Sequence, residues 1–268
     1  MRPSGILFDL DGVLYNASQL IDGAVGAIEW VQQQGIPHLF VTNTTSRPRA
    51  VLVEKLSTFG FSVSQEDILT PAVAAAGWLR SREAGQIALF VRPATRIEFA
   101  GLACLPDHAE TGASYLVVGD LGSSWDYPTL NRAFRLLHAN PRAHMIALGM
   151  TRYWQTEDGV SLDVAPFVAA LECAAGREAM VFGKPQEAFF HAAAEKLRLP
   201  AAEVLMIGDD IVTDIGGAQS AGLQGALVRT GKFRPGDVEG PVKPNFVLDS
   251  IAELPRWWQG YGRFRSSA

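Results

Sequence analysis

Apolar residues fall along this chain in short runs separated by longer amphipathic stretches, and the two alternate from the start. "GILF" at 5–8 is a compact apolar run, and "HLFVT" at 38–42, "VLMI" at 204–207 and "GALV" at 225–228 repeat it. Runs this short, without polar alternation, suit strands covered on both faces of a parallel sheet. Helical spacing lies between them. "AVGAIEWVQQQG" at 24–35 carries Val25, Ile28 and Val31 at helical intervals and stops at Gly35, and "RAVLVEKLSTFG" at 49–60 stops at Gly60. "PQEAFFHAAAEKL" and "DIGGAQSAG" predict helices before and after "VLMI", with His191 read as a packing residue of the first. The alternation predicts an α/β fold: an open, doubly wound, Rossmann-like parallel sheet with right-handed crossovers.

A second set with its own rhythm lies between Pro71 and Phe182. "IALFV", "YLVVG" and "HMIAL" read as strands, and "PTLNRAFRLLH" and "APFVAALECAAG" as helices. Pro128 suits a first helical position and Gly176 a C-terminal cap. The expected domains are a core of residues 1–75 and 179–268 and an inserted α/β unit of residues 76–178.

Length and composition agree with that division. The 268 residues are 48% hydrophobic and 19% charged, enough for one core plus a smaller insert. A net charge of −5 argues against a nonspecific grip on nucleic acid. No run approaches the roughly 18 apolar residues of a membrane span. "MRPSGILFDLDG" meets acidic residues too early for a secretory leader. Cys104 and Cys173 lack metal or redox spacing and read as buried free thiols. The sum predicts a cytoplasmic protein without membrane or nucleic-acid partners. The end, "RWWQGYGRFRSSA", reads as a terminus fraying after a docked Trp257 and Trp258.

The strand ends change the picture. Open α/β sheets bind ligands beyond the carboxyl ends of their strands. There this chain places Asp9, Asp11 and Gly12, then Thr42 and Asn43, then Lys184, then Asp209 and Asp210 with Asp214 close behind. Strand alternation alone would let Asp9 and Asp11 face water together. Five carboxylates at one edge favour a cation among them, and oxygen donors suit Mg²⁺. Asp9 and Asp209 are the expected ligands, with the Asp11 carbonyl beside them. Lys184 supplies a point charge for a phosphate oxygen, and Thr42 and Asn43 supply neutral donors. A carboxylate can attack phosphorus, so Asp9 is the expected nucleophile and Asp11 the acid and base. Gly12 leaves room for close backbone approach. None of the five histidines has ligand spacing. In the insert, Trp125, Tyr127, Tyr153 and Trp154 read as core aromatics before substrate contacts, and Asp163 is a candidate specificity residue.

"FDLDGVLY", "VTNTTS", "GKP" and "GDDIVTD" resemble, in order, the four motifs of the haloacid dehalogenase superfamily of phosphatases. The insert is similar to the C2-type cap of subfamily IIA, the group of NagD and pyridoxal phosphate phosphatase. "TRYWQTEDGVSLDVAPF" and "IGDDIVTDIGGAQSAGLQGALVRTGKFRPGD" resemble the phospholysine phosphohistidine inorganic pyrophosphate phosphatases. The resemblance implies a Mg²⁺-dependent phosphohydrolase of a small phosphorylated metabolite acting through an aspartyl phosphate. It implies the same roles for Asp9, Asp11, Thr42, Asn43, Lys184 and Asp209. Asp214 is expected to steady Lys184 or a metal-bound water, and Asp210 to serve as a helix-start carboxylate. Some relatives carry serine at the Asp11 position; here the acid is present. A homodimer through the cap is the partner the resemblance suggests. A phosphotransferase or mutase, a metal-free dehalogenase and a noncatalytic phosphate sensor remain open alternatives, and the phosphate ester itself is open.

Overall fold

The computed structural model describes residues 2–82, 85–156 and 159–261, with the side chains of 154–156 outside that description. The chain divides into two compact units, Met1–Thr42 with Arg49–Leu69 and Lys184–Ala268, and Asn43–Pro48 with Thr70–Gly183. The expected boundaries at 75/76 and 178/179 compare with observed ones at 69/70 and 183/184.

The first unit is built on a six-stranded sheet in the order Phe246–Leu248, Gln224–Val228, Val204–Gly208, Gly5–Asp9, His38–Val41, Ile68–Leu69. Every neighbouring pair is parallel. The chain starts in the middle, builds outward through His38–Val41, and later returns to build the other side from Val204–Gly208. The order therefore reverses between Gly5–Asp9 and Val204–Gly208, which is where such sheets open a crevice for ligands. Gly5–Asp9 is buried at all five positions, as a central strand with both faces covered must be. Ile6 and Phe8 join Phe40, Leu205 and Ile207 in a core with Ile28, Val31, Leu52 and Leu56 from the covering helices. Each such side chain contributes about 1.5–3 kcal/mol by leaving water. Strand pleating turns Leu7 and Asp9 to the opposite face.

The helices follow the sequence closely where glycine ends them. Ala24–Gln33 stops before Gly35 at φ +63°, and Arg49–Thr58 before Gly60 at φ +93°. "DIGGAQSAG" is not one helix: Ile211–Gly216 winds as a π-helix and Gly217–Ser220 as a short α-helix. His191 is exposed, not packed, because Phe189, Phe190, Ala193 and Ala194 already fill the buried face of helix Glu187–Leu197. Its ring nitrogen lies 3.2 Å from the Ala221 carbonyl. Trp257 and Trp258 are buried, Trp257 docked against Phe246 and Trp258, and residues 262–268 of the expected tail lie outside the described residues.

The second unit has a four-stranded parallel sheet in the order Met180–Val181, His144–Ala147, Tyr115–Val118, Ile87–Phe90. Helices Tyr127–Ala139 and Val164–Ala175 pack over it through Ala133, Leu136, Leu137, Val168 and Leu171. Asp126 caps the first helix by accepting the Thr129 amide at 2.8 Å, so Pro128 is its second residue and not its first. Gly176 ends the second helix in the left-handed conformation, as expected. Trp125 stacks between Phe90 and Phe167 with ring centroids 5.8 and 4.8 Å away and packs, half-buried, against the core of this unit. Tyr127 and Tyr153 are exposed, contrary to a core reading, and the Trp154 side chain lies outside the described residues. Both cysteines are exposed and free, correcting the expectation of buried thiols. Among the described residues no helix is long and apolar enough to cross a membrane.

Candidate active site

Asp9 closes strand Gly5–Asp9 and Asp209 follows strand Val204–Gly208, on either side of the switch point. Lys184 comes from the segment ahead of helix Glu187–Leu197, with a cis peptide to Pro185. Its Nζ lies 2.7 Å from Asp9 Oδ1 and 2.7 Å from Asp214 Oδ1. All four side chains are buried. One carboxylate oxygen from each of Asp9, Asp209 and Asp214 lies within 4.8 Å of the others, the one such acidic, histidine or cysteine cluster among the described residues.

Two of the three carboxylates pair with the Lys184 ammonium, and burial raises the proton affinity of all three. Burial raises the Asp9 carboxyl above its ordinary value; Lys184 pulls it back down and Asp209 adds to the rise. Burial, reinforced by the charge of Asp9, lifts Asp214 to about 6. Asp209 is raised by burial, against the Lys232 amide that lowers it. Burial alone would lower Lys184, but Asp214 and Asp9 outweigh it and hold the ammonium charged. The residues fit a hard divalent cation. Asp209 Oδ2 accepts the Lys232 amide at 2.7 Å, whereas Oδ1 is buried and makes no hydrogen bond among the described residues. A buried carboxylate oxygen without a donor is costly, and an added positive charge would remove that cost. Asp9 and Asp209 have oxygens to offer; Asp214 is committed to Lys184.

Asp11 does not join this cluster. The strand ends at Asp9, the chain bends at Leu10, and Asp11 is exposed, its Oδ1 accepting the Ala17 amide at 3.3 Å. Asp9 and Asp11 therefore do not share a solvated face. Gly12 has φ +82°, and a Cβ there would lie 2.0 Å from Asp209 Oδ2. Glycine is required at that position by the neighbouring carboxylate. Thr42 is buried at the end of strand His38–Val41 with its amide donating to Leu69 O at 3.2 Å. Asn43 belongs to the second unit.

Asp210 caps the π-helix: its Oδ1 accepts the amides of Val212 and Thr213, each at 3.0 Å. Burial opposes ionisation there, but those amides and Lys232 prevail and hold Asp210 below the usual carboxylate value. Replacing Asp210 with Ala is expected to cost about 0.5–2 kcal/mol in urea denaturation, the usual loss for a cap. Asp163, at the start of helix Val164–Ala175, is raised chiefly by partial burial.

Two family models match the chain, "haloacid dehalogenase-like hydrolase" over residues 6–102 and "HAD-hydrolase-like" over 181–254. Human phospholysine phosphohistidine inorganic pyrophosphate phosphatase is 37% identical over 255 residues, covering 93% of this chain and 92% of its own. This chain belongs to the haloacid dehalogenase-like hydrolases. Among solved structures, p-nitrophenyl phosphatase from Archaeoglobus fulgidus superposes with a TM-score of 0.83 at 28% identity, covering 96% of this chain and 99% of the other. NagD from E. coli K-12 superposes with a TM-score of 0.83 at 25% identity, covering 94% and 98%. These neighbours place the chain in the NagD and nitrophenyl phosphatase branch of the haloacid dehalogenase superfamily.

One part of the site is absent from the sequence reading. Strand Gln224–Val228 also ends at this edge, and Thr230, Gly231 and Lys232 follow it. The signal in the sequence is "RTGK" directly after the apolar run "GALV", a strand end without a carboxylate.

Proposed function

We propose that this haloacid dehalogenase-like hydrolase is a Mg²⁺-dependent phosphatase of small phosphorylated compounds that works through an aspartyl phosphate at Asp9. The observation that carries the reading is the buried Lys184 ammonium, 2.7 Å from both Asp9 and Asp214, next to the undonated oxygen of Asp209. Asp9 and Asp209 would hold the cation. When bound, the ion supplies the positive charge that lets an anionic nucleophile and an anionic phosphoryl group approach.

The chain's own groups do the rest. Lys184 fixes one oxygen of Asp9 and opposes the rise that burial imposes on that carboxyl, leaving the second oxygen for phosphorus. That oxygen attacks, the bond from phosphorus to the leaving oxygen breaks, and the Asp11 carboxylic acid gives the leaving oxygen its proton. Asp11, now a carboxylate, takes a proton from water; the hydroxide oxygen bonds to phosphorus, the bond from phosphorus to Asp9 breaks, and phosphate leaves. The exposure of Asp11 suits a group that must exchange protons with solvent and leaving group. Asp214 holds Lys184 from its far side. Thr42 and Asn43 are proposed as neutral donors to phosphoryl oxygens.

Relatives named for phospholysine, phosphohistidine and pyrophosphate, and structural neighbours named for p-nitrophenyl phosphate, define the panel to test. In EDTA-treated protein, p-nitrophenyl phosphate turnover should fall to background and return on adding MgCl₂. Full turnover in the chelated protein would reject the metal requirement. Release of phosphate from a panel of phosphomonoesters, pyrophosphate and phosphoramidates then ranks the substrates.

A further inference from the structure

The carboxylate of Asp209 is held in an unusual way. Its Oδ2 sits between two glycines, 2.0 Å from the place of a Cβ at Gly12 and 2.1 Å from the place of one at Gly231. Gly231 has φ +64°, a conformation that side chains disfavour, and it lies in the turn after strand Gln224–Val228. The next amide, that of Lys232, donates to the same Oδ2 at 2.7 Å. Thr230 ties the two walls together by donating its hydroxyl to the Gly12 carbonyl. Lys232 Nζ reaches Asp210 Oδ2 at 3.4 Å, so the turn is anchored to the helix start beside Asp209 as well.

We infer that Thr230, Gly231 and Lys232 form a positioning turn that fixes the rotamer of Asp209, pinning Oδ2 and leaving Oδ1 as the metal-facing oxygen. The inference rests on the metal reading proposed above and adds residues to which no role had been given. Its physical basis is division of labour between the two oxygens. One is saturated by a main-chain donor and walled in where no side chain fits. The other is buried with no donor among the described residues. A carboxylate free to rotate would exchange the two and would keep Oδ1 partly engaged with Lys232. Groups that orient a ligand in this way usually matter about 10–100-fold in metal affinity.

The test is isothermal titration of the full-length protein with MgCl₂ and with MnCl₂, alongside p-nitrophenyl phosphate kinetics at varied Mg²⁺. Gly231→Ala adds a methyl where Oδ2 sits, and Thr230→Val removes the tie to Gly12 while keeping the shape. Both are expected to weaken binding of either ion, by about 10–100-fold for Gly231→Ala and by less for Thr230→Val. For Thr230→Val, kcat at saturating Mg²⁺ should return towards wild type while the Mg²⁺ midpoint stays raised, a split that general destabilisation would not give. Gly236→Ala, an exposed glycine whose Cβ would meet nothing within 4 Å, should behave as wild type. If Gly231→Ala does not fold, Thr230→Val decides alone. Wild-type ion affinity in the folded variants overturns the positioning turn and leaves the proposed function standing. A wild-type protein that binds neither ion yet turns over substrate overturns the metal reading and the turn together.

Discussion

Replacing Asp9 with Asn is expected to lower p-nitrophenyl phosphate turnover on the order of 10⁴-fold or more, the scale on which losing a nucleophile acts. The folded state should survive the change. Asn fits the space of Asp, Lys184 keeps Asp214 at 2.7 Å, and one of three converging carboxylates is gone. Burial and the charge of Asp209 both raise the Asp9 carboxyl, which means the folded protein bears a cost for holding it ionised. The variant should therefore melt no lower than wild type in metal-free buffer. Lost activity with preserved melting separates a chemical role for Asp9 from a structural one.

Lys184→Met should do the opposite and harm both. The lysine is enclosed, with side-chain exposure of 4%, and Asp214 is at 1%. Removing the ammonium leaves Asp9 and Asp214 facing each other without compensation, and breaking a buried pair on one side costs about 3–5 kcal/mol. The loss should depend on pH. Asp214 already stands at about 6 with Lys184 present, above its unfolded value of 3.8, and without the ammonium it rises further. Between those values the folded protein binds more protons than the unfolded chain, so stability falls as pH rises through the window. Urea denaturation should find the variant nearest to wild type at about pH 5 and furthest from it at about pH 8. Adding Asp214→Asn to Lys184→Met should recover part of the stability and none of the turnover. An equal loss at both pH values would contradict the carboxylate account.

Much of this site is legible in the sequence. Asp9, Lys184, Asp209 and Asp214 each sit just past a short apolar run or at the start of the helix after one, and a parallel sheet brings such ends to one edge. The fold was readable for the same reason, since "GILF", "VLMI" and "GALV" are too apolar for anything but buried strands. The failures have physical causes. Strands Ile68–Leu69 and Phe246–Leu248 and the hairpin of Tyr15–Asn16 with Gln19–Leu20 are too short to show a period. Helix Pro71–Arg80 is alanine-rich, and its apolar positions form a broad face and not a stripe. Trp125 and Tyr127 look alike as aromatics of one segment, yet ring stacking half-buries the first while the second stays in water. The turn at Thr230–Lys232 acts through an amide and a missing Cβ, which a search for reactive side chains passes over. The substrate is not written in the strand ends at all, because they carry the chemistry and not the recognition of the leaving group.

The most direct measurement is to quench steady-state turnover of p-nitrophenyl phosphate with borohydride, which reduces an acyl phosphate to an alcohol, and to map the modified residue by peptide mass. The account predicts homoserine at position 9, formed only with both substrate and Mg²⁺ present and absent from Asp9→Asn. Rapid turnover that leaves Asp9 unmodified, or an Asp9→Asn protein that hydrolyses the ester at the wild-type rate, would contradict it.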